Sequence, residues 1–246
     1  MLYFRVSVAI LAAVLLSACQ PEIQTAPPVP TVSIWQVQYT PATAWLAPHF
    51  QACAARLNEV NLVVSEHTAQ ALDVQNADFS FEWGERSDPP AFAAIIGQDQ
   101  LAVVVNPSNP ITSLTVAEIQ GIFSGKEAGW GRLVKADCAT CGSEFEVPIQ
   151  MYVYAPSSEM QLAADWISVG PESILAPGPA AVIAALAGEK SSIGFVPARW
   201  INSSVKKVEI ASAGPDLLNR PVLAMAPAEP QGVKRAWLLC LQERIK

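Results

Sequence analysis

LAVVVNPSNPITSLTVAEIQGIFSGKEAGW runs from Leu101 to Trp130, and the remaining chain is read outward from it. Leu101–Val105 is apolar and mostly β-branched, the composition of a fully buried strand. Asn106–Pro110 interrupts it, because two prolines cannot donate ladder hydrogen bonds and hold φ near the polyproline value. Thr115 and Glu118 then have the spacing of a capping box, each able to satisfy the other's backbone N–H. A short helix follows, with Ile119, Ile122 and Phe123 on one side and Gly125 as its left-handed stop.

Composition narrows the function classes. Hydrophobic residues make up 51% of the 246 and charged residues only 15%, which fits well-filled globular cores and argues against disorder. The formal net charge of −7 and the lack of any basic run longer than Lys206-Lys207 oppose nucleic-acid binding, which needs a cationic footprint. No nucleophile motif, nucleotide loop or metal-ligand spacing is present, so neither an enzyme nor a cofactor is expected. His49 falls within a helix and His67 beside a strand end, each without a recognisable partner.

Strand–helix alternation runs through the chain and indicates an α/β fold. Strands are expected at Ser33–Gln38, Val60–Ser65, Ala77–Trp83, Ile149–Tyr154, Ser191–Pro197, Val205–Ile210 and Pro221–Ala226. Over Ala77–Trp83, Phe79, Phe81 and Trp83 alternate with Asp78, Ser80 and Glu82. Thr40-Pro41 pairs an N-cap with a proline at the first helical position. The helix it opens should reach about Leu57, with Leu46, Phe50, Cys53 and Leu57 on one face. Thr68–Leu72 is a short helix. Ser158 and Gln161 form a second capping box, opening a helix to about Ser168 with Leu162, Trp166 and Val169 aligned. Gly178-Pro179 opens another, to Ala187 and the stop at Gly188. The last helix is expected over Val233–Arg244, with Ala236, Leu239 and Cys240 on one face.

The N-terminus reads as a secretory signal: Arg5, then an apolar run from Val6 to Leu16 too short to span a bilayer comfortably. Leu16-Ser17-Ala18-Cys19 resembles a bacterial lipobox. That implies a lipoprotein signal peptide over 1–18 and acylation (palmitate among the acyl groups) at Cys19, which would anchor a soluble fold to the membrane from outside. Residues 19–32 hold four prolines in Gln20–Val32 and form a tether. The other cysteines follow from that compartment. Cys138 and Cys141 form a CxxC that could be half a zinc site, a redox pair or a local disulfide. The disulfide is favoured, because no further ligands are near and no helix opens there. Cys53 and Cys240 lie in the first and last helices, as a disulfide or as two buried thiols, the disulfide favoured.

The opening segment resembles the phosphate-binding-protein-like group of type 2 periplasmic solute-binding proteins. It does so through Asn106-Pro107, Asn109-Pro110, Leu114-Thr115, Phe123-Ser124-Gly125-Lys126 and Trp130, and Ile193-Gly194-Phe195-Val196-Pro197 matches a second motif of that group. The resemblance covers about residues 33–226. It implies two lobes around a cleft with two hinge crossovers, 33–104 plus 206–246 forming the first and 105–205 the second. It further implies a monomeric binding protein that closes over a small oxyanion, phosphate first, and delivers it to an ABC importer permease.

In that group, loops at strand-to-helix turns hold the anion. The matching positions here are Thr40 and Thr43, Ser87 and Asp88 in a Ser-Asp-Pro turn, and Ser157 and Ser158. Each also has a simple capping or turn role. The Gly-Ser-Ser/Thr character of the first loop is missing, and so is the arginine that precedes the second. The alternative is therefore a binding-fold lipoprotein, a sensor or interaction module, that has lost the anion site.

Overall fold

The computed structural model describes residues 32–57, 60–134 and 147–245. Cys19, Cys138 and Cys141, the segment over 1–18 and the tether as far as Thr31 lie outside the described residues.

The elements follow in order. β1 is Ser33–Tyr39, then a 3-10 turn over Pro41–Leu46 running into α1, Ala47–Ala54. Next come β2 (Val60–Glu66), a 3-10 turn over Ala69–Ala71, β3 (Phe79–Trp83) and β4 (Phe92–Val105). β5 (Ser113–Thr115) leads into α2 (Val116–Phe123), β6 (Gln150–Val153) into α3 (Glu159–Ala163). Then follow β7 (Ile174–Leu175), α4 (Pro179–Gly188), β8 (Ser192–Pro197), β9 (Lys206–Ala211), α5 (Pro215–Leu218), β10 (Asn219–Ala226) and α6 (Gly232–Arg244).

β4 is the shared element of the sheet, whose strand order is β2-β1-β3-β10-β4-β8-β6-β7. Its first part, Phe92–Gln100, pairs antiparallel with β10, which in turn pairs with β3. Its last part, Leu101–Val105, pairs antiparallel with β8 on one side, and Val103–Val105 pairs with β9 on the other. Leu101–Val105 is thus fully buried, as an unbroken apolar strand requires. β1 lies parallel between β2 and β3, and β6 parallel between β7 and β8.

The repeated Asn-Pro turns have structural work. Asn106 donates from its amide to the carbonyl of Leu186 at 2.7 Å, closing the last turn of α4, and accepts from the Ser108 N–H. Asn109 accepts from the Ile111 N–H and donates to the Lys190 carbonyl. Trp130 is fully buried and donates its indole N–H to the Ser191 carbonyl. The Thr115–Glu118 capping box forms in both directions at 3.2 and 2.7 Å, and Gly125 ends the segment at φ +78°.

Aromatic side chains fill the space under β1 and β3. Phe50 of α1, Phe79 and Phe81 of β3 and Trp237 of α6 are all solvent-free, with ring centroids of 4.7 Å for Phe50–Phe81 and 4.8 Å for Phe79–Trp237. Cys53 and Cys240 form a disulfide joining α1 to α6. A second aromatic group, Phe123, Tyr154 and Phe195, packs beside β8.

Several local expectations need correction. The first helix begins as a 3-10 turn and ends at Ala54. α3 spans only Glu159–Ala163, and Leu162 and Val169 are exposed rather than packed. The second capping box is one-sided: Ser158 Oγ accepts from the Gln161 N–H, but Gln161 Oε1 is buried without a partner. α6 buries Trp237, Leu238 and Leu241, leaving Leu239 and Ala236 exposed, because a fully buried Trp sets its rotation against α1. β3 alternates in sequence but is buried on both faces, with Glu82 held by the Arg86 guanidinium at 2.8 Å. β9, expected over Val205–Ile210, forms over Lys206–Ala211 and pairs with β4 and β5.

Candidate functional site

Two strand-to-helix turns face each other: the end of β1 with the turn after it, and the end of β6 with the start of α3. Thr40, fully buried, caps the 3-10 turn, its N–H donating to Thr43 Oγ1 at 3.1 Å. Pro41 fits the first helical position because the N–H it lacks would have no helical partner there. The Ala42 N–H that follows is a free donor of the first turn. Beside it, β1 ends opposite Phe81, so the Trp83 N–H on the same side of β3 has no strand to bond.

All three donors converge on one carboxylate, from the opposite turn. Glu159 is the first residue of α3, and its side chain reaches across to them. Its Oε2 accepts from Thr40 Oγ1 at 2.5 Å and from the Trp83 N–H at 3.1 Å, and its Oε1 accepts from the Ala42 N–H at 3.0 Å. Glu159 is only 6% exposed. Burial pushes its carboxyl up from 4.5 to about 7. The bonds from Thr40, Trp83 and Ala42 oppose that rise, and the like charge of Glu82 adds to it. Desolvation disfavours the charged form, and the three hydrogen bonds recover only part of that cost.

Other contacts span the same gap. The Trp200 indole donates to the Ala42 carbonyl at 2.9 Å, Gln70 donates to the Ser157 carbonyl, and Arg220 Nε donates to the Ala163 carbonyl at 3.1 Å. A Cβ on Gly178 would lie 3.0 Å from the Pro41 Cβ, so a glycine lets the two turns approach this closely. Next to this contact lies a cavity of about 340 Å³. It is walled by Pro41 and Thr68–Gln70 on one side, and by Tyr154, Ala155, Ser157–Met160 and Ala176–Gly178 on the other. Tyr154 is buried, donates to the Phe195 carbonyl at 2.8 Å, and has its phenol pushed well up by burial and then by Glu159.

The residues singled out in the sequence are distributed unevenly about this arrangement. Thr40 contributes its hydroxyl to the converging set. Thr43 is fully buried one turn on, donating to the Thr40 and Phe81 carbonyls, and serves the cap. Ser157 and Ser158 line the cavity, Ser158 with its hydroxyl also capping α3. Ser87 and Asp88 are exposed, away from the cavity, and Asp88 pairs with Arg86 at 3.1 Å. Arg199 lies over the Trp45 ring at 4.5 Å and donates to the Ile245 carbonyl. Among the described residues no group of three or more His, Cys, Asp or Glu is placed to hold a metal ion.

Sequence reading missed Glu159 and the two backbone donors. Backbone N–H groups carry no residue signature. The one available signal was an acidic side chain directly after Ser157-Ser158, in a loop that the resemblance reserves for an anion.

No protein-family model matches the chain, and no curated protein does. Solved structures do. A protein from Clostridium perfringens, described as a phosphate ABC transporter substrate-binding protein with bound phosphate, superposes with a TM-score of 0.66 at 16% identity, over 85% of this chain and 93% of that one. An ABC-type phosphate transport receptor from Vibrio cholerae gives 0.58 at 17%, over 84% and 93%. The regulatory domain of CcmR from Synechocystis PCC6803, in complex with 2-PG, gives 0.61 at 10%, over 87% and 97%. At these identities the likeness is one of architecture, shared by transport receptors and regulatory domains alike. The mixed α/β sheet organised about β4, with two strand-to-helix turns facing across a gap, is the type 2 periplasmic-binding-protein fold.

Proposed function

We propose that the chain is an extracytoplasmic binding-fold protein whose anion seat is filled by its own Glu159. It stands closed without a free oxyanion and acts as a sensor or interaction module rather than as a phosphate carrier. The observation that carries this is the convergence of Thr40 Oγ1, the Ala42 N–H and the Trp83 N–H on the Glu159 carboxylate. A phosphate placed there would need the same three donors and would meet a like charge. The Cys53–Cys240 disulfide supports an oxidising compartment, and the lipobox at Cys19 would tether the fold to the outer face of the membrane. With the halves implied by the resemblance, 33–104 plus 206–246 and 105–205, Glu159 would belong to one and its three donors to the other.

A second function has support of its own: a substrate-binding protein serving an ABC importer permease. The fold likeness to two phosphate-transport proteins and the 340 Å³ cavity beside Glu159 favour it. In that case the cargo lies in the cavity and Ser157 and Ser158 touch it.

Titration calorimetry of residues 20–246 with phosphate, sulfate and molybdate at pH 7.5 separates the two. The whole core lies within the unit that begins at Val32, so this form retains the fold. The filled seat predicts no heat with any of the three. Micromolar or tighter binding of phosphate overturns it in favour of the carrier.

A further inference from the structure

The cavity beside Glu159 has walls that are mostly apolar, among them Ala69, Tyr154, Met160, Ala176 and Pro177. Its polar lining residues are Thr68, Gln70, Tyr154, Ser157 and Ser158, and among the described residues Glu159 is its one lining residue with a charged side chain. A carboxylate offers about four acceptor positions. Three are taken, two on Oε2 and one on Oε1, so Oε1 retains capacity. No described cation pairs with Glu159; the titratable groups facing it are Glu82 and Tyr154, neither of them positive at neutral pH. A buried carboxylate with no counter-charge is stabilised most by a cation brought to it. The formal net charge of −7 also favours approach of a cation over an anion.

We propose that this cavity binds a small amine with a short apolar body, its ammonium group on Glu159 and its hydrocarbon against Ala69, Met160, Ala176 and Pro177. This rests on Glu159 filling the anion seat and adds the class of ligand that the seated carboxylate would recognise. The filled seat and the amine cavity are then adjacent parts of one site, the first satisfied from within and the second open to a solute. Because the carboxyl is protonated below about 7, ammonium binding must expel a proton at lower pH, and affinity falls by up to about tenfold per pH unit there.

The probe is n-butylammonium, with n-butanol and butyrate as neutral and anionic molecules of matched size. Binding to residues 20–246 is followed by calorimetry and by the shift in Tm. The expected result at pH 7.5 is binding of n-butylammonium about tenfold or more tighter than of n-butanol, with butyrate weakest. That preference should shrink between pH 7 and pH 5.5 in the unaltered protein and be lost in Glu159→Gln. The pH series needs no variant, so a Glu159→Gln protein that fails to fold does not remove the test. Equal binding of n-butylammonium and n-butanol, a preference for butyrate, or no binding of the ammonium overturns the proposal. Silence toward both phosphate and n-butylammonium overturns the amine site and leaves the filled seat standing. Phosphate binding at pH 7.5 overturns the filled seat itself.

Discussion

Glu159 converts a turn into a pH-dependent element of stability. Its carboxyl titrates at about 7 in the fold, against 4.5 for the unperturbed group. Between those values the folded chain holds a proton that the unfolded chain has released, so stability falls as pH rises. The contribution is fully present below 4.5 and is lost as pH climbs through about 7. The span from 4.5 to about 7 corresponds to about 3 kcal/mol, at about 1.36 kcal/mol for each tenfold change in proton affinity. Urea unfolding at pH 5, 6, 7 and 8 should therefore show stability declining from pH 5 to about pH 7 and levelling off toward pH 8. Glu159→Gln, which has no charge to bury, should lack that component of the slope. Equal slopes in the two proteins would show that Glu159 does not titrate in this window. Legibility at this scale was partial: Thr40 was found from its hydroxyl, but its partner 119 positions away belongs to no local pattern.

Among the elements, β8 and α4 show how a motif residue acts through packing. Gly194 pairs with Val104 on one side and Tyr152 on the other, and a Cβ added there would lie 2.6 Å from Val182 Cγ1 of α4. The helix rests directly on the strand backbone at this point. Gly194→Ala must displace α4 or Val182, and overpacking of this kind costs about 1–3 kcal/mol. Chemical denaturation of the variant checks it, and a change below about 0.5 kcal/mol would mean that α4 moves freely. The Ile193–Pro197 strand and the capped helix at Val116–Phe123 were both legible, since periodicity and caps are local. The buried faces of α3 and α6 were not. An α6 read by its 3.6-residue stripe puts Leu239 inward, whereas Trp237, the largest side chain, takes the space against Phe50 and Phe79.

Across the whole molecule, the Cys53–Cys240 disulfide ties α1 to α6 over a sequence separation of 187. Closing so long a loop in the unfolded chain corresponds to about 5 kcal/mol in the chain-entropy model. Cys240→Ser should lower stability by about 2–5 kcal/mol, read as a fall in the denaturation midpoint, and treatment of the unaltered protein with reductant should lower it comparably. An unchanged midpoint in both would place the stabilisation elsewhere, in the aromatic packing of Trp237. Among the described residues no helix is long and apolar enough to cross a membrane.

The sequence by itself determined the α/β class, most strand positions, the cap at Thr115 and the fold resemblance, because each rests on residues close together in the chain. Only the tertiary structure decided what occupies the facing turns. The three donors come from residues 40, 42 and 83 and the acceptor from residue 159. A hydrogen bond between distant segments depends on where folding brings two backbones, which no local spacing encodes.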